Sequence, residues 1–125
     1  MRKRGLRAGK RRHVERQRLG TALKSWTEAT EWLAANAKTG LSGVLTAAVP
    51  YLHLAVTVTG GWFMAKAALA AAGYLEKGEG DQAFYRAKIA TARFYADQLL
   101  PQAVSYAETV KAGDAALAGI GDEVF

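Results

Sequence analysis

The chain has no cysteine, and among its 125 residues only two are proline and two histidine. Without cysteine there is no disulfide, no cysteine-ligated zinc or iron–sulfur cluster, and no thiol nucleophile or redox sensor. The histidines, His13 and His53, have no carboxylate or second histidine at ligand spacing on a helix, which argues against a metal site. His53 lies in an apolar stretch and reads as a core or boundary residue rather than a base. A Ser-His-Asp grouping, a nucleophile elbow and a P-loop are also missing, and Gly78-Glu79-Gly80 is too short and too acidic to cradle phosphate. No catalytic, cofactor-binding or metal-ligating residue is assigned, and no catalysis is expected from this chain alone.

Acidic residues are scarce at one end. Residues 1–24 hold ten Lys and Arg against Glu15 alone, while the rest of the chain holds seven basic and ten acidic groups. The overall charge of +6 thus describes the leader, and the body is mildly acidic. No apolar run of the kind a secretory signal needs follows these charges. The leader also lacks serine, and its apolar residues are too sparse for a good amphipathic transit peptide. A basic segment neutralises phosphate, but this one has no aromatic residue to stack on bases, so no specific nucleic-acid partner is expected. Residues 1–19 read as a disordered basic leader, and removing residues 1–18 is expected to leave stability unchanged.

Strand periodicity is absent over any convincing length, Val56-Thr57-Val58-Thr59-Gly60 coming closest, so the expected fold class is all-α. Leu19, Leu23, Trp26, Thr30, Leu33 and Ala37 alternate at steps of four and three and predict a helix over about 20–38, stopped by Lys38-Thr39-Gly40 with the glycine in the left-handed region. A second helix is predicted over 41–77, starting or kinking near Pro50 and stopped at Lys77-Gly78. Within it, Gly60-Gly61 leaves room for a neighbouring backbone. Asp81 is placed to cap a third helix over 81–111, whose stripe runs through Tyr85, Ile89, Ala92, Ala96, Leu99, Ala103, Tyr106 and Val110. Pro101 falls inside that stripe and should bend or divide it. The architecture expected is an antiparallel bundle of about three long helices.

No formal charge occurs from Thr39 through Ala65. Such a run is long enough to cross about 30 Å of hydrocarbon with the cationic N-terminus on the cytoplasmic side, and a small single-span membrane protein is the alternative reading. Pro50, His53, the threonines and the glycine pair lower its apolar density and favour a core helix. Trp62, Tyr74, Phe84, Tyr85, Phe94 and Tyr95 read as further core. Arg86, Lys88 and Arg93 read as a solvated face paired with Glu76, Glu79 and Asp81, or as contacts for an anion.

Pro50-Tyr51-Leu52, the Gly60-Gly61-Trp62 run, the stretch Arg86 to Phe94 reading RAKIATARF, and Leu99-Leu100-Pro101 together resemble the C-terminal, acetyl-CoA dehydrogenase-like domain of bacterial acyl-CoA dehydrogenases, closest to the 3-methylmercaptopropionyl-CoA dehydrogenase class. The resemblance covers about residues 20–125, including the short acidic tail, and leaves 1–19 outside as foreign to the family. Lys66, where arginine is expected, and Tyr95 are mild departures. The resemblance implies an isolated fragment or accessory subunit with a structural or oligomerisation role. FAD and the catalytic carboxylate would lie in upstream domains, so no cofactor is expected in this chain. The implied partners are the dehydrogenase core domains or a second copy, and the implied location is the cytoplasm.

Overall fold

A computed structural model describes residues 2–120, leaving the expected acidic tail at 121–125 outside the described residues. The described elements are α1 (Arg2–Asn36), α2 (Leu41–Lys77), α3 (Gln82–Gln98) and α4 (Gln102–Ala112), with a 3-10 turn at Leu117–Gly119 and no strand. The all-α bundle is therefore as expected.

Cross-helix contacts set the directions. Trp26 and Thr30 on α1 meet the Tyr51 hydroxyl on α2 at 3.2 and 2.8 Å, and Ser42 at the start of α2 meets Asp114 just beyond α4. Tyr95 on α3 donates to the Thr57 carbonyl of α2 at 2.7 Å, and Tyr74 stacks on Tyr85 at the far end. Position numbers rise along one helix as they fall along its neighbour, so α2 runs antiparallel to α1 and to the α3–α4 column. Conversely Arg11 pairs with Asp97 and Lys111 with Glu28, so α1 runs parallel to that column.

The core is built mostly from alanine. Ala22, Ala29, Ala47, Ala96, Ala103 and Ala107 are buried, with Leu54, Val58 and Val110 the largest fully buried side chains. Small residues let the helix axes approach closely, while Trp26, Trp32, Tyr51 and Tyr106 pack partly buried around them.

α2 spans the range its sequence predicted and passes through Pro50 without restarting. It ends where Gly78 adopts φ 68, with the Gly78 amide on the Leu75 carbonyl and the Glu79 amide on that of Tyr74. Asp81 caps α3 as expected, accepting from the Phe84 amide at 3.1 Å. Pro101 divides the third predicted helix: the Leu99 and Leu100 amides both donate to the Tyr95 carbonyl, and α4 restarts after the proline.

Three expectations are corrected. The basic leader is not disordered, because α1 is continuous from Arg2. Its Arg, Lys, Gln, Glu and Leu residues are good helix formers with no proline among them, and carboxylates on α1 and α3 take up part of its charge. The first helix ends at Asn36 rather than 38, and Gly40 is extended at φ 168 rather than left-handed. Thr39 makes the stop instead, giving both its amide and its hydroxyl to the Asn36 carbonyl. The glycine pair admits side chains rather than a backbone: a Cβ on Gly60 would meet the Tyr95 ring, and one on Gly61 would meet Leu100.

Candidate functional site

Two surfaces remain once the core is filled. The first is the outer face of α2. Leu45, Val49, Leu52, Val56 and Phe63 recur along it at steps of three, four and seven, each between 60% and 63% exposed. With Leu41 they form an apolar strip along a helix of 37 residues, about 55 Å at 1.5 Å per residue. By length and composition α2 could also cross a membrane.

The second surface is a cleft of about 530 Å³ where α1, α2 and α3 diverge. Leu19, Leu69, Leu75, Ile89 and Leu100 give it an apolar lining, and it stays open because α2 and α3 line it with small residues, including Ala65, Ala68, Ala72 and Ala92. Arg12 and Arg16 from α1, Lys66 from α2 and Arg93 from α3 also line it, with Glu15 and Glu76. The Lys66 ammonium sits 4.3 Å from the centre of the Trp62 ring.

Behind the cleft lies a charge network tying α1 to α3. Asp97 meets Arg11 and, at 3.4 Å, Arg18 Nε, while Glu15 meets Arg11 and Arg93, each at 3.4 Å. The Asp97 carboxylate, which accepts a hydrogen bond from the Arg11 guanidinium, raises the pKa of that group above its ordinary value. Three guanidinium groups thus share two carboxylates. Arg18 Nε and Arg93 Nε are shielded from solvent without a hydrogen-bond acceptor, and Glu15 Oε1 and Asp97 Oδ1 without a donor, because the 3.4 Å pairs are poorly aligned.

The residues singled out by sequence are dispersed. His53 is exposed and stacks on Tyr106 with centroids 5.4 Å apart, a boundary position. Arg86 and Lys88 are solvated, Lys88 lying 5.3 Å from the centre of the Phe84 ring. Among the described residues Arg93 pairs with none of Glu76, Glu79 and Asp81 and instead reaches Glu15 across the bundle. The aromatic residues are mostly not core: Trp62, Tyr74, Phe84 and Phe94 are exposed, since alanines occupy the helix contacts that larger rings would have filled. Tyr85 and Tyr95 are half-buried, Tyr95 packs against the core, and burial pushes the Tyr95 hydroxyl pKa up. Among the described residues no group of three His, Asp or Glu is placed to hold a metal ion. The cleft itself is not legible in the sequence. Arg12 and Arg16, one turn apart in the leader, were its available signal, but only the docking of α1 shows what they face.

Residues 7–120 match the family described as "Acetyl-CoA dehydrogenase C-terminal like", so the match begins inside the basic leader. The chain is also 34% identical over 102 residues to a 3-methylmercaptopropionyl-CoA dehydrogenase of Ruegeria pomeroyi, an alignment covering 81% of this chain and 17% of that protein.

Proposed function

This chain belongs to the acetyl-CoA dehydrogenase C-terminal-like family, and from that premise we propose that it is a structural docking domain for an FAD-dependent acyl-CoA dehydrogenase, with no catalysis of its own. The carrying observation is the uncovered strip from Leu45 to Phe63 on α2. Contiguous apolar surface of this kind is costly to leave in water, and a helix uncharged from Thr39 through Ala65 offers a partner neither a salt bridge nor a polar mismatch. The partner in this reading is the dehydrogenase core, or a second subunit bound through the same strip. A cytoplasmic location accords with it. The single-span membrane reading is not favoured, since family membership accounts for α2 as a helix that faces other protein.

FAD belongs to the core in this proposal. The starts of α2 and α3, where a pyrophosphate would seek helix amides, already have carboxylates beside them: Asp114 accepts from the Ser42 hydroxyl, and Asp81 caps α3. These residues do not fit the dinucleotide.

The test is light scattering after gel filtration, without detergent, of the chain alone and mixed with a dehydrogenase core lacking its own C-terminal domain. The expected result is a stoichiometric complex, or a defined oligomer of the chain alone, that Leu52→Glu with Val56→Glu abolishes. A chain that stays in solution only in detergent, or a wild-type monomer that ignores the core, would overturn the reading.

A further inference from the structure

We propose that the cleft between α1, α2 and α3 is a binding site for a small anionic amphiphile, a molecule with a carboxylate-like head and a straight apolar tail. Its volume of about 530 Å³ falls within the range of about 300–1,000 Å³ typical of small-molecule sites. The two halves of the ligand follow from the two kinds of wall.

The inner wall selects the tail. Leu19, Leu69, Ile89 and Leu100 come from α1, α2, α3 and the α3–α4 corner and converge on a space that the alanines of α2 leave unfilled. Water there would find few polar partners, whereas an alkyl chain would recover the dispersion contacts the lining lacks.

The outer wall selects the head. Among the described residues Arg12, Arg16 and Lys66 have no carboxylate within 4.0 Å, and Glu76 is the one acid of the lining similarly unpaired. Immediately behind, three guanidinium groups share the two carboxylates of Glu15 and Asp97, leaving a further excess positive charge. An Arg pair one helical turn apart matches a planar anion better than it matches solvent, and the low-dielectric floor strengthens the attraction. A neutral or cationic amphiphile of equal length would satisfy the floor and waste or oppose the rim.

This site is independent of the α2 strip, which lies on a different set of positions, and it does not rest on the docking role. Decanoate, below its micelle concentration, is the probe. Titration of the full chain by calorimetry, with tryptophan fluorescence as a second signal because Trp62 lines the cleft, should give saturable one-to-one binding. Decanol should bind about tenfold more weakly, as expected for loss of charge-assisted contacts, and acetate not measurably. Arg12→Gln, Arg16→Gln and Lys66→Gln combined should weaken decanoate about tenfold and leave decanol unchanged. Ala72→Phe, which fills the floor, should abolish both. Circular dichroism checks each fold, and if the filled variant fails to fold the exposed rim triple still decides. Equal binding of decanol and decanoate, an unaffected rim triple, or non-saturating uptake would overturn the proposal. So would flotation on phosphatidylglycerol vesicles that decanoate does not displace.

Discussion

Tyr95 joins α3 to α2 by packing over Gly60 and by donating to the Thr57 carbonyl. Burial disfavours its phenolate, so its pKa is higher folded than unfolded. Above about pH 10 the unfolded state gives up this proton first, so the contribution is present below that pH and is lost as pH rises toward the folded value. Tyr95→Phe should cost about 1 kcal/mol at neutral pH, the net worth of one hydrogen bond. Urea melts from pH 8 to 11 should also show a shallower alkaline decline in that variant than in the wild type. Next to it, Gly61→Ala drives a methyl into Leu100, itself 3% exposed, and should destabilise by about 1–3 kcal/mol in thermal melts. Both effects were hidden in the sequence, which marks the glycines as a close approach without saying which side chain arrives.

At the level of elements, a start of α2 near Pro50 was not borne out, but the range and stop of α2 and the start of α3 were legible, because composition, Lys77-Gly78 and the Asp81 cap act locally and nothing tertiary overrides them. The break at Pro101 was legible for the same reason. The leader was not: its helix draws on Asp97, 86 positions from Arg11, and no local pattern announces such a pairing. Removing residues 1–18 should therefore lower stability by about 1–3 kcal/mol, through the half-buried Val14 and the ion pairs of Arg11, Glu15 and Arg18. Asp97→Asn isolates the electrostatic part. It should cost about 1 kcal/mol in low-salt urea melts, and the difference from wild type should shrink in molar salt.

For the whole molecule, the strip on α2 and the cleft beside it result from one choice of core. At concentrations where the wild type is monomeric, the Leu52→Glu, Val56→Glu chain should keep its melting midpoint, because those positions stand 62% and 61% exposed, and at higher concentration it should lack the rise in midpoint that association gives the wild type. That separation of folding from assembly is measurable by pairing melts with light scattering. Neither surface can be placed from the sequence alone, since α2 looks apolar on every side until α1, α3 and α4 have taken theirs. An interior of alanine carries a thermodynamic signature of its own. Methyl groups forfeit no rotamers on folding, but they withdraw little carbon from water, so unfolding should absorb less heat per degree than the roughly 12–15 cal/mol/K per residue usual for globular domains. Calorimetry of the isolated chain should accordingly trace a broad, low endotherm and a flat stability curve, which sharpens only when a bound partner adds its own buried area.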